Sequence, residues 1–205
     1  MRTLLAPTRP DMAASRFPLS SRQLIGAILT GGSSSRFGSD KAAVIGPLAL
    51  DALRGAGLDP VLTVGGGGNE LGVPNLEDRY PGEGPLGGLA TCLTYASSGW
   101  VLLIPCDHPL LRSEHLEPLV EALNGEVSDD EAVVATVGGR AHPSIACWPA
   151  SWARPAHQAM RSGERRFRRA LELGAWHGIE IDPAALEDAD DPETLKRLLV
   201  RREKP

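Results

Sequence analysis

An apolar run, Ile25-Gly26-Ala27-Ile28-Leu29-Thr30, empties into Gly31-Gly32-Ser33-Ser34-Ser35-Arg36-Phe37-Gly38-Ser39-Asp40-Lys41, a loop of small residues that carries two cations. Small residues after a buried strand leave backbone N–H groups free to face an anion, and Arg36 and Lys41 add charge that amides lack. The chemistry this suits is binding of a phosphate chain. Arg36 can grip a phosphate with two parallel donors, whereas Lys41 acts as a point charge on the α- and β-phosphates. Spacing excludes two familiar phosphate loops: Asp40 and Ala42 flank Lys41 where a Walker A loop needs glycine and a hydroxyl, and Gly31, Gly32 and Gly38 do not form G-x-G-x-x-G. A Gly-Gly-Ser run alone is as often a flexible turn, and a lone lysine is usually solvated. The strand before the loop and the paired cations favour phosphate.

Asp107 is the second candidate. It follows the apolar run Trp100-Val101-Leu102-Leu103-Ile104 by three residues, between Pro105 and Pro109. A carboxylate on so restricted a loop suits Mg²⁺, which prefers oxygen ligands, keeps several waters and bridges phosphate oxygens. The competing reading is a turn aspartate or a cap for a helix opening near Ser113.

The elements that must position these residues alternate between strand and helix. Residues 23–29, 60–64 and 100–104 read as strands, with helices at 48–54, closed by Gly55 and Gly57, and at 85–97, with Pro85 in its first turn. A helix is expected at 114–123. Strands at 132–137 and 144–148 then flank Gly138-Gly139-Arg140 as a hairpin. Residues 151–161 and 164–173 read as helices around Gly163, residues 176–181 as a strand, and a last helix opens with Asp191 as N-cap and Pro192 at its first position. The fold class expected is a three-layer α/β/α sandwich, mostly parallel and Rossmann-like, with an inserted β-hairpin. In such sheets ligands bind beyond the C-terminal strand ends, so the Leu29 and Ile104 ends should bring the cradle and Asp107 together.

Composition bounds the partners. The chain has 205 residues, 42% of them hydrophobic, enough for one sizeable core, and residues 23–205 are read as one domain. Residues 1–22, with Pro7, Pro10, Pro18 and scattered arginines, read as a disordered extension, and Met12 leaves the start of translation open. A net charge of −5 argues against a nucleic-acid partner, so a polyanionic substrate would need local cations or a metal. Cys92, Cys106 and Cys147 suggest neither a disulfide framework nor a zinc site, which points to the reducing cytoplasm. No apolar run reaches the roughly 18 residues a membrane span needs.

The motifs together resemble a known family. L-T-G-G-x-S-x-R-F-G-x-D-K is similar to the L-A-G-G-x-S-x-R-M-G-x-D-K signature of molybdenum cofactor guanylyltransferases. In order, Asp78 to Leu89 resembles the family's D-x-x-P-G-x-G-P-L-A-G-I, Pro105-Cys106-Asp107-His108-Pro109 its P-C-D-x-P, and His142-Pro143-Ser144-Ile145-Ala146 its H-P-x-x-A. Ser162-Gly163-Glu164-Arg165-Arg166 resembles A-G-E-R-R, and Asp188-Ala189-Asp190-Asp191-Pro192-Glu193-Thr194-Leu195 stands where the family has N-x-N-T-P-E-x-L. The likeness spans about residues 24–200. It implies a GT-A-like nucleotidyltransferase that moves GMP from GTP to molybdopterin with Mg²⁺, or Mn²⁺ in its place, on Asp107. It also implies nucleotide contacts at Leu29, Thr30, Gly31, Gly32, Lys41 and Asp107, guanine or ribose contacts at Asp78, and charge neutralisation by Arg36, Lys41 and the metal on Asp107. Molybdoenzymes or molybdenum-insertion proteins are the protein partners it implies.

Several features leave room for other readings. Asp188 and Asp190 replace asparagines and add negative charge, although Asp190 could be a second metal ligand. Glycines at 65–68 replace polar residues, and Thr30 and Phe37 replace Ala and Met. The arginines at 165, 166, 168 and 169 read as a solvated helix face or an acceptor-phosphate site; His142 as a structural hydrogen-bonding group or a pterin contact; Trp148, Trp152 and Trp176 as core first. The rivals are a molybdopterin cytidylyltransferase, a sugar-phosphate or 2-phospholactate nucleotidyltransferase, and a noncatalytic cofactor carrier.

Overall fold

The computed structural model describes residues 23–31, 41–66, 69–125 and 127–203. The extension expected at 1–22 lies outside them. The apolar run at the start forms β1 (Leu24–Leu29), and β2 (Val61–Val64) and β4 (Trp100–Pro105) flank it in parallel. All three are buried runs without polar alternation, as strands covered on both faces must be. A short β3 (Asn75–Leu76) extends the sheet beyond β2 in the same direction. On the other side stand β5 (Ala132–Val137), β6 (Arg140–Pro149) and β7 (Trp176–Glu180), giving the order β3-β2-β1-β4-β6-β5-β7. β6 pairs antiparallel with β4 and with β5, and β7 returns parallel to β5.

Successive side chains of a strand point to opposite faces, and the core divides accordingly. Leu102 and Ile104 join Leu53, Leu116 and Leu119 under α1 (Lys41–Gly55) and α3 (Ser113–Ala122). Val101 and Leu103 join Leu89, Trp148 and Met160 under α2 (Pro85–Ala96) and α4 (Ala153–Arg161). A smaller cluster of Ile45, Leu110, Leu195 and Leu198 docks α5 (Pro192–Arg202). This is the three-layer, mostly parallel α/β sandwich expected. No helix among the described residues is long and apolar enough to cross a membrane.

Local chemistry explains where the elements match expectation and where they do not. Asp191 caps α5, its carboxylate accepting from the Thr194 N–H at 2.8 Å and the Thr194 hydroxyl at 2.9 Å. Gly138 and Gly139, at φ 56° and 74°, make the two-residue hairpin turn that requires positive φ at both positions. α1 starts at Lys41, well before residue 48, and runs through Pro47. The lost hydrogen bond at Pro47 is outweighed by burial of Ala42 and Ile45 in the preceding turns. Residues 164–173 do not form the α-helix expected: a 3₁₀ segment covers Phe167–Glu172, and Arg166 before it is extended. The Glu164 carboxylate accepts from the backbone N–H groups of Arg165 and Arg166, each at 2.9 Å, and so holds this stretch as a turn. The helix expected at 151–161 likewise begins at Ala153, after a 3₁₀ turn over Ala150–Trp152.

One close approach shapes the sheet edge. Gly65 follows β2 at φ 101°, and a Cβ there would lie 2.8 Å from the Gly31 nitrogen and 2.9 Å from its Cα. Backbone cannot give way as a side chain can. Gly65→Ala should therefore destabilise by about 2 kcal/mol through combined strain and clash. At roughly 2–4 °C per kcal/mol for a chain of this size, the melting temperature falls by about 4–8 °C. An unchanged melting temperature by calorimetry would contradict the close packing.

Candidate active site

Leu29 is in register with Pro105, so β1 and β4 end side by side, and the Cys106 N–H donates to the Leu29 carbonyl at 3.2 Å just past them. Thr30 is buried, and both its N–H and its hydroxyl donate to the Val64 carbonyl, at 3.0 and 3.1 Å. The hydroxyl at this position thus staples β1 to β2, which explains a threonine where the signature has alanine. Gly31 is exposed at the edge. Gly32 and Arg36 lie outside the described residues, as does the side chain of Lys41. The Lys41 backbone opens α1, whose first turn holds no acidic residue, so it stands at the helix end that favours anions.

The α2 N-terminus faces the same edge. It starts with Pro85 after Gly84, without a side-chain cap, and Gly88 lets it sit against β1: a Cβ there would lie 2.7 Å from Leu29 Cδ2. The loop from β3 to α2 contains Asp78, half-buried, whose Oδ1 accepts from the Tyr80 N–H at 2.9 Å and stands 3.2 Å from the Thr91 hydroxyl. The Arg79 N–H donates to that same hydroxyl at 3.1 Å. Asp78 therefore shapes the loop, and its remaining acceptor capacity is what a nucleoside could use.

Asp107 leaves the end of β4 with a side chain 34% exposed, its Oδ1 3.8 Å from His108 Nδ1. The helix-cap alternative fails, because the N-cap of α3 is Arg112, whose backbone N–H donates to His115 Nδ1 at 3.0 Å. The carbonyl of Asp107 accepts from the Ala189 N–H at 2.9 Å. That bond docks the 188–190 segment onto the Asp107 loop, and Asp190, the residue after Ala189, is exposed. The far end of α5 grips the same loop: Arg202 donates to the carbonyls of Pro109 at 2.6 Å and Leu111 at 3.1 Å. Among the described residues no three His, Cys, Asp or Glu side chains form a metal cage. A lone carboxylate fits an ion that completes its shell with water and substrate oxygens, as Mg²⁺ does.

The remaining candidates separate. Arg165 pairs with Glu83, Arg166 with Glu164, and Arg169 with Glu164 and Glu172, while Arg168 makes no ion pair among the described residues. Hydrogen bonds from Arg166 hold the Glu164 carboxyl down at about 2. The arginines are therefore mostly clamps within their own turn. Burial lowers the pKa of His142, with Arg140, His108 and Arg168 acting in the same direction and Glu180 opposing them. Trp148 and Trp152 are core residues packed with each other and with Phe167, and Trp176 is 38% exposed on the edge strand. Sequence reasoning missed Thr91 and the Tyr80–His157 contact at 2.8 Å. Neither spacing nor composition joins residues 77 positions apart.

A parallel sheet whose adjacent strand ends open on two helix N-termini and a half-buried carboxylate is the frame of an α/β nucleotidyltransferase. Residues 26–178 match the MobA-like NTP transferase domain family, and the chain belongs to it. It is 38% identical over 158 residues to a probable molybdenum cofactor guanylyltransferase of Halalkalibacterium halodurans, covering 70% of this chain and 78% of that one. A Deinococcus radiodurans protein of the same description is 35% identical, with 71% and 77% covered. In fold, the chain resembles the molybdopterin-guanine dinucleotide biosynthesis protein A of Archaeoglobus fulgidus with a TM-score of 0.62 at 20% identity, covering 86% and 96%.

Burial is the largest influence on His115, His142 and His157, and it lowers all three pKa values. Just below the ordinary imidazole value the unfolded chain binds more protons than the native protein, so stability rises with pH through that window. This contribution is complete above about pH 6.5 and is lost as pH falls through the native values. Melting temperatures measured from pH 7.5 down to 5.5 should decrease; a flat or rising profile would contradict the lowered pKa values of these half-buried imidazoles.

Proposed function

We propose that this protein transfers GMP from GTP to the terminal phosphate of molybdopterin, forming the guanine dinucleotide cofactor and pyrophosphate. The observation that carries the reading is the Leu29–Pro105 register, which supports it by ending β1 and β4 side by side, just before Gly31 and Asp107. The names of the relatives supply the base and the acceptor. In the reaction an oxygen of the molybdopterin phosphate bonds to the α-phosphorus of GTP, the bond from that phosphorus to the bridging oxygen breaks, and pyrophosphate leaves with the electron pair. The protein's part is positioning and neutralisation of charge on the equatorial oxygens. Gly31, Gly32 and the α1 N-terminus offer amides, while Arg36 and Lys41 offer cations. Mg²⁺ held by Asp107, with Asp190 as a candidate second ligand, supplies positive charge against the phosphate oxygens when bound. Asp78 and its loop receive the nucleoside.

GTP should bind more tightly than CTP or ATP in calorimetry with Mg²⁺. A preference for CTP would move the activity to the cytidylyl reaction, and binding of no nucleotide would remove the transferase reading. Asp107→Asn keeps size and turn chemistry but removes the charge that a hard cation needs. Its rate of pyrophosphate release with molybdopterin and GTP should fall by about 10²–10³, the scale of losing a transition-state contact of roughly 3–4 kcal/mol, with little change in melting temperature. A folded variant with full activity would refute the role of Asp107.

A further inference from the structure

The loop at residues 77–84 joins β3 to the α2 N-terminus and leaves the sheet at the edge where β1 and β4 end. Among the described residues, side chains of the loop hold it in three places. Asp78 binds the Tyr80 N–H and stands against Thr91, which shapes the turn locally. Glu83 pairs with Arg165, but both side chains are about two-fifths exposed (42% and 41%), and surface pairs of this kind contribute little. The third point draws on three elements at once: the Tyr80 hydroxyl lies 2.8 Å from His157 Nδ1 on α4, and His157 Nε2 lies 2.7 Å from the Thr94 hydroxyl on α2.

Proton placement along this chain follows from its far end. The Thr94 hydroxyl donates to the Ala90 carbonyl at 2.9 Å, so toward His157 it can only accept. Nε2 must then carry the proton and Nδ1 must be bare, which makes Nδ1 the acceptor for Tyr80 O–H. Each group is satisfied in one tautomer of the neutral ring. The groups facing His157 are Tyr80 and Arg79 from the loop, Thr94 from α2 and Arg161 on α4; burial, then the two arginines, disfavours a proton on the ring. The Tyr80 and His157 rings also pack at 5.6 Å, so the contact is steric as well as polar.

We propose that His157 is a positioning residue for nucleotide binding, which holds the 77–84 loop through Tyr80 in the conformation that receives the nucleoside. This rests on the reading that the loop faces the nucleotide. A proton on Nδ1 would turn the acceptor into a donor aimed at the tyrosine hydroxyl, whose own proton would lose its partner. The hydroxyl then turns its proton outward and accepts from the ring, the new charge repels Arg79 on the same loop, and nucleotide affinity falls as this loosens the loop when pH drops below the ordinary imidazole range. Glutamine at this position presents one acceptor and one donor at similar spacing and does not titrate, so it separates geometry from charge.

The test is GTP affinity by calorimetry with Mg²⁺ at pH 7.5 and 5.5, on the full chain and on H157Q, H157F and Y80F, with each melting temperature recorded. At pH 7.5 H157Q should bind within about twofold of the unsubstituted protein, and H157F and Y80F about fivefold to tenfold more weakly, the scale of one neutral hydrogen bond. Between the two pH values the unsubstituted protein should lose at least about threefold more affinity than H157Q; titration of the nucleotide's own phosphate is common to both and cancels. Equal pH losses overturn the proposal. So does unchanged GTP affinity in Y80F and H157F with only a lower melting temperature, which would make the contact purely structural. Should H157F not fold, H157Q and Y80F carry the comparison. A protein that binds no nucleotide at either pH overturns the nucleotide reading itself and the proposal with it, an outcome distinct from selective failure of the variants.

Discussion

Parallel pairing of β1 with β4, in the register that sets Leu29 against Pro105, is the constraint on which the site depends. Parallel strands end at the same edge, and each then hands its chain to a segment leading into a helix. Gly31 and the Asp107 loop therefore follow neighbouring strand ends, although almost eighty residues separate them in sequence. A shift of one residue between these strands would turn Leu102 and Ile104 out of one core layer and Val101 and Leu103 out of the other. Burial in both layers thus fixes the register, and the register fixes the site.

Small residues allow the edge to close tightly. Gly65 admits the Gly31 backbone, Gly88 admits Leu29, and Gly87 admits Tyr80, whose Cβ would lie 2.7 Å from a Cβ placed at position 87. These contacts draw β2, α2 and the 77–84 loop around the end of β1. The C-terminal part of the chain closes the other side: Ala189 bonds the Asp107 carbonyl, and Arg202 bonds two carbonyls of the loop that follows. The backbone of Asp107 is thus fixed at the end of β4.

The parts legible in sequence were those encoded locally. β1 and β4 are uninterrupted apolar runs, Gly138-Gly139 specifies its turn through positive φ, and Asp191-Pro192 announces the last helix. Residues 164–173 misled because arginine spacing at a helical period says nothing about Glu164, which takes the backbone donors of Arg165 and Arg166. β3 was missed since two residues carry no period. In the site, Asp107 was placed by its two prolines and the strand before it, and its meeting with the 188–190 segment was foreshadowed only by motif resemblance. The Tyr80, His157 and Thr94 chain had no local signal at all, because it is created by packing α2 against α4.

The proposed reaction joins a guanylate to a phosphate acceptor at this edge. GTP labelled at the α-phosphate, incubated with molybdopterin, Mg²⁺ and the protein, tests it most directly. Label is expected in a molybdopterin dinucleotide, with one pyrophosphate released per label transferred. Label that remains in GTP, or appears only as free GMP, would contradict it.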